Sequence, residues 1–134
     1  MSANDRYYVL WDRSEPCDRP LADEHLKGFA NSFVQKNRRA RWRQLLDKRG
    51  KKLFAESHSL ERALDQAYCQ KVDGVDRLDL GAQGVYYDFL DEPRLVKSKD
   101  AVEMGVDRDA VFSVVAGRKA VLFSHEGRAW LCQK

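Results

Sequence analysis

The amino-acid sequence predicts an α+β fold in which an antiparallel sheet of about five to seven strands carries three helices, mostly on one face. Two observations lead there. Apolar residues recur at helical spacing over much of the stretch before Gly74, and beyond it the period shifts towards two, with connections short enough for antiparallel neighbours. Helices grouped ahead of runs of strands do not build a doubly wound parallel sheet.

In chain order, residues 6–11 (Arg-Tyr-Tyr-Val-Leu-Trp) are aromatic and β-branched and read as a strand, followed by a polar loop with Pro16 and Pro20. Leu26, Phe29, Ala30, Phe33 and Val34 then mark one face of a first helix over residues 22–35, with Asp23 and Glu24 near its positive start. The stripe through Trp42, Leu45 and Leu46 lies on a different phase. One straight helix cannot bury both stripes against a single surface, so the chain breaks near Lys36 and Asn37. A second helix over residues 38–49 follows and stops at Gly50, with Trp42, Leu45 and Leu46 inward and Arg38, Arg39, Arg41, Arg43 and Lys48 outward.

Ser57 and Ser59 are candidate N-caps of a third helix, in which Leu60, Ala63, Leu64, Ala67 and Tyr68 form an amphipathic stripe that runs to Gly74. Residues 75–80 and 85–90 read as a hairpin around Gly81-Ala82-Gln83-Gly84. Leu95-Val96 suit a short strand and residues 101–104 a helical turn. Residues 110–115, 120–124 and 129–132 are three strands of a meander, joined at Gly117-Arg118 and at His125-Glu126-Gly127-Arg128.

The 134 residues, 43% hydrophobic and 34% charged, fit one domain spanning 1–134 that buries roughly two thirds of its unfolded surface. The first residues carry an acid and no long apolar run, which fits neither a secretory signal nor a membrane span, so a soluble, cytoplasmic protein is expected. Cys17, Cys69 and Cys132 are an odd number without Cys-x-x-Cys spacing and read as reduced thiols rather than a disulfide framework or a zinc site.

Charge is where the chain departs from an ordinary domain. Residues 35–52 hold nine Lys or Arg and one Asp, a net charge of +8 in a chain whose total is +3. Clustered Arg and Lys suit a polyanion, because they release condensed counterions or meet opposite charge on an acidic partner. The candidate contact residues are Lys36, Asn37, Arg38, Arg39, Arg41, Arg43, Lys48, Lys51 and Lys52. The bland reading of the same run is a solvated face whose stems cover apolar neighbours or whose charges pair with the fold's own acids.

Residues 37–43 (Asn-Arg-Arg-Ala-Arg-Trp-Arg) resemble the second half of the homeodomain recognition helix. The likeness spans seven residues. Val34 and Gln35 stand where that family places its core Trp and Phe, and a long strand-rich stretch follows, so no residue role is carried over.

No reaction is spelled out. His25, His58 and His125 lack ligand spacing, the acid pairs Asp91-Glu92 and Asp107/Asp109 fall at turns as solvated charges, and the Gly81–Gly84 stretch lacks the Lys-Ser/Thr of a phosphate loop. Cys17, in a polar loop beside Asp18, is the one conceivable nucleophile. The expectation is a small non-enzymatic binding protein without cofactor or metal that contacts nucleic acid phosphates, DNA or RNA, through segment 36–52. The alternative is a protein-binding module, inhibitor or immunity-like, that docks on an acidic protein.

Overall fold

The computed structural model describes residues 3–47, 61–88 and 92–134. Seven strands form one antiparallel sheet: β1 (Glu15–Pro16), β2 (Cys69–Val72), β3 (Gln83–Asp88), β4 (Arg94–Lys97), β5 (Ala110–Val115), β6 (Lys119–Phe123) and β7 (Ala129–Gln133), in the order β1-β4-β3-β5-β6-β7-β2. Among the described residues four helices accompany it: α1 (Ala3–Arg13), α2 (Arg19–Phe33), α3 (Arg39–Asp47) and α4 (Ser98–Gly105). The α+β class and the antiparallel sheet are as the sequence predicts.

Among the described residues, however, the helices number four and divide between the two faces of the sheet. On one face α2 and α3 bring Leu26, Phe29, Phe33 and Trp42 against Tyr87, Val111, Ala120, Leu122 and Cys132. On the other, α1 and α4 bring Tyr7, Leu10, Ala101 and Met104 against Tyr86, Phe112, Val121 and Phe123. The strict alternation Ala120, Val121, Leu122, Phe123 between the two clusters is the period-two signature of a strand buried on both sides.

The additional helix is α1, where the sequence suggests a strand. Its β-formers are overruled by packing: Tyr7 and Leu10, three apart, are buried and Trp11 is half-buried, the spacing of one helical face. Arg6 pairs with Glu103 at 2.9 Å and Arg13 with Asp100 at 2.7 Å, tying α1 to α4. Arg94 closes the helix end by donating to the Ser14 carbonyl at 2.8 Å, with its guanidinium 5.0 Å from the Trp11 ring. Inside, the Tyr7 hydroxyl donates to the buried Asp88 carboxylate and Arg108 lies 3.6 Å from the Tyr7 ring centre.

The third helix read from the sequence is also absent from the described residues. Its proposed caps Ser57 and Ser59 lie outside them, Glu61–Ala63 is a single 3₁₀ turn, and residues 69–72 are the edge strand β2. Asp65 explains the break. Its carboxylate accepts from Ala67 N at 3.0 Å and its carbonyl from Tyr68 N and Cys69 N, a local turn that competes with helix. Long-range pairs then take the remaining backbone groups, with Asp65 N donating to Phe33 O at 2.7 Å and Gln35 N to Ala63 O at 2.8 Å.

The expected 75–80 strand is a 3₁₀ turn, Val75–Arg77, behind a left-handed Gly74 with φ of 66°, and Leu80 buries itself in the α1/α4 cluster instead of pairing. The other half of that hairpin stands as β3, paired with β4 and β5. The meander β5-β6-β7 forms as predicted, as do the short strand β4 and helix α4. Helix α2 crosses the β5-β6 turn at a glycine pair, where a Cβ on Gly28 would stand 2.8 Å from Gly117 N. That close approach fixes the height of α2 over the sheet, and through α2 the place of α3. Among the described residues no helix is long and apolar enough to cross a membrane.

Candidate nucleic-acid interface

The basic segment begins where α2 ends. Asp18 caps the start of α2 by accepting from Leu21 N at 3.0 Å, with Pro20 in the first turn. The helix stops at Phe33, Val34 turns extended (φ −97°, ψ 140°), and the 3₁₀ turn Lys36–Arg38 leads into α3. This is the break that the phase shift of the apolar stripes predicts.

The turn is held from below. Val34 bridges Leu64, and the Gln35 side chain donates to Arg62 O at 3.0 Å and to Leu64 O at 3.2 Å. From above, Trp42 is buried and stacks on Phe29, with ring centroids 5.6 Å apart and planes at 28°. Burial thus fixes the rotation of α3 and decides which side chains face water.

Lys36, Asn37, Arg38, Arg41 and Arg43 are exposed. Among the described residues Lys36, Arg38 and Arg43 meet no carboxylate, while Arg41 keeps an interaction of its own. Arg39 departs from the expectation of an outward charge. It is half-buried, and its Nε donates to Val34 O at 2.9 Å, so it satisfies the carbonyl that α2 leaves open at its end. Lys48, Lys51 and Lys52, and the side chains of Leu45 and Leu46, fall outside the described residues.

The acids of α2 before the segment, Asp23 and Glu24, sit at the far end of that helix. At about 1.5 Å per residue, the nine residues from Glu24 to Phe33 put roughly 14 Å between Glu24 and the foot of the basic turn, beyond a Debye length of about 8 Å at physiological salt. Those acids do not neutralise the segment. The fold also adds a charge that the sequence reading missed: Arg62 is exposed, and its own carbonyl is bonded by Gln35, so its backbone abuts the basic turn. Nothing local in the sequence signals this, because it depends on the long-range bridge between Val34 and Leu64.

A second set of titratable groups gathers around the β6-β7 turn. Arg128 makes a two-pronged pair with Glu61 at 2.7 Å for each bond and also reaches Glu126 at 2.6 Å, while Trp130 Nε1 donates to Glu61 at 2.8 Å. The Arg128 guanidinium holds the Glu61 carboxyl down to about 2. Asp109, read as a solvated turn charge, is in fact buried and accepts from His125 N at 3.0 Å and from His125 Nδ1 at 2.9 Å. That bond raises the His125 pKa.

An Asp-His pair orients a ring as a general base requires, yet the other ring nitrogen, Nε2, faces the Glu126 carboxylate at 3.8 Å and among the described residues no Ser, Thr or Cys is bonded to it. Cys17 is no better placed. Burial and Asp18 push its thiol up, its Sγ donates to the Asp18 carbonyl, and neither His25 nor His125 is bonded to it. Among the described residues no three His, Cys, Asp or Glu side chains are placed to hold a metal ion.

The chain matches no protein-family model, no curated protein and no solved structure. What the residues can do therefore rests on their own geometry. Here that geometry is a helix start, anchored by Trp42, that presents Lys36, Arg38 and Arg43 to solvent with no carboxylate partner among the described residues.

Proposed function

We propose that the protein binds nucleic acid through phosphate contacts from the basic segment 36–52 and reads little base sequence itself. The observation that carries the proposal is the exposure of Lys36, Arg38 and Arg43 without a carboxylate partner among the described residues, on the 3₁₀ turn and first turns of α3, whose orientation Trp42 fixes. Exposed cations on a rigid support lose little on binding and gain counterion release. Burial of Trp42 removes the one aromatic in the segment from base stacking, which leaves phosphate contact as the main term. A cytoplasmic setting, where DNA and RNA are at hand, belongs to the same proposal.

Fluorescence anisotropy with a labelled single-stranded oligonucleotide and a labelled duplex, each of mixed sequence, tests it. Binding that strengthens as salt is lowered and varies little with sequence is expected. Absence of binding to either at about 50 mM salt contradicts it. Recovery of a stoichiometric acidic protein free of nucleic acid would transfer the segment to the rival reading, a module that docks on an acidic protein.

A further inference from the structure

Cys69 in β2 and Cys132 in β7 are directly opposite each other in the register of the two strands. Both side chains belong to the α2/α3 face of the sheet and both are buried, so they point the same way from adjacent strands. The hydrogen-bond pattern fixes the kind of pair. Gln133 N donates to Tyr68 O at 3.1 Å, so the residues one step inward, Cys69 and Cys132, form the non-hydrogen-bonded pair of the antiparallel ladder. In such a pair the Cα atoms approach to about 4.5 Å, against about 5.5 Å in the hydrogen-bonded kind, and disulfides span roughly 4.4–6.8 Å. The two thiols are close enough to interact directly. The usual Cα separation of such a pair lies within the disulfide span, so a bond between them is compatible with the observed pairing of the strands.

We propose that Cys69 and Cys132 form a redox pair that closes a disulfide across the edge of the sheet, with a small-molecule disulfide of the glutathione kind as oxidant. The Cys69 thiol gives up its proton, and its thiolate attacks one sulfur of the small disulfide, making a mixed disulfide and expelling one small thiolate. Cys132, deprotonated in turn, attacks the Cys69 sulfur, forming the protein disulfide and expelling the second thiolate. Two electrons pass from the protein to the small disulfide, and the two released protons convert its halves to thiols. Cys69 is the first attacker because β2 is the outermost strand at its end of the sheet, with Gln70 and Lys71 exposed, so local opening of that edge admits the oxidant.

In the reduced state Cys69 Sγ donates to Phe33 O at 3.6 Å, at the last residue of α2. Oxidation removes this donor and ties β2 covalently to β7. The pair was not legible in the sequence, since cysteines 63 residues apart come together only through the pairing of β2 with β7.

The test is an equilibration of the full chain in oxidised glutathione, in buffer and in urea low enough to loosen β2 but not to unfold the domain. Acid quenching, alkylation and peptide mapping by mass spectrometry follow. Expected are one cross-linked peptide pair holding Cys69 and Cys132, Cys17 still free to alkylate, a melting temperature raised by several degrees, and reversal by dithiothreitol. Cys17→Ser should give the same map. Full alkylation of Cys69 and Cys132 after equilibration, separate glutathione adducts on each, or a cross-link that includes Cys17 would overturn the proposal.

Discussion

Trp42 lies on Phe29, ring over ring with centroids 5.6 Å apart, and joins the helix that carries the basic side chains to the helix that covers the sheet. Trp42→Ala should therefore destabilise the domain by roughly 3–5 kcal/mol, the range for deleting a buried aromatic. Trp42→Phe should cost clearly less. Urea unfolding followed by circular dichroism measures both, and a loss under about 1 kcal/mol for the alanine variant would show that α3 is not anchored there.

Arg39 and Arg38 are neighbours with opposite assignments. Arg39→Ala removes the donor to Val34 O and should cost about 1 kcal/mol, whereas Arg38→Ala should stay within about 0.5 kcal/mol. In binding the order reverses, with Arg38→Ala the more damaging. Equal stability losses for the two would contradict the assignment.

Glu61 ties the segment before β2 to the β6-β7 turn. Its carboxyl is held down to about 2 by Arg128, below its ordinary value, so the folded state favours the ionised form. Such a group contributes stability above its unfolded pKa, about 4.3, and loses it as pH falls through the folded value near 2. Glu61→Gln should thus cost roughly 1.5–3 kcal/mol at pH 7, with the gap to wild type closing between about pH 4.5 and 2. A gap that stays constant over that window would mean that charge is not what the Arg128 pair contributes.

The two described histidines should titrate on opposite sides of the ordinary value. Burial lowers His25, whose Nδ1 lies 2.7 Å from Ser113 Oγ, and the Asp109 bond raises His125. The His125 contribution to stability is complete below its unfolded pKa and fades as pH rises through the raised folded one. His25 works the other way: its contribution is present above its unfolded pKa and falls away as pH drops towards the lowered folded value. Proton NMR of the ring C–H resonances from pH 4 to 9 reads both, and Asp109→Asn should bring His125 down while leaving His25 in place.

The parts of the fold that were legible in the sequence are those governed by local pattern. Residues 110–133 alternate by twos between short turns and fold as the β5-β6-β7 meander, and the phase shift between Phe33 and Trp42 marks the break at Lys36–Arg38. The misreadings arise where distant partners decide. Tyr7 and Leu10 form a helix because α4 and the sheet supply a surface for one helical face, and residues 69–72 pair as a strand because β7 offers an open edge. The candidate site divides the same way: exposure of Arg38, Arg41 and Arg43 was readable from helical phase. The use of Arg39 as a cap and the arrival of Arg62 were not, since both depend on how the chain returns past Val34.

The measurement that bears most directly on the binding proposal is the salt dependence of oligonucleotide affinity for wild type and for the triple variant Lys36→Glu, Arg38→Glu, Arg43→Glu, with circular dichroism to check the fold. The wild type should show log affinity falling with log salt at a slope of about −3 or steeper on duplex DNA, at roughly 0.9 per phosphate contact. Each single alanine change should make the slope shallower by about 1, alike across sequences. The triple variant should remain folded and lose binding. A folded triple variant that binds as tightly as wild type, or a wild-type affinity indifferent to salt, would contradict the claim that these three cations hold phosphates.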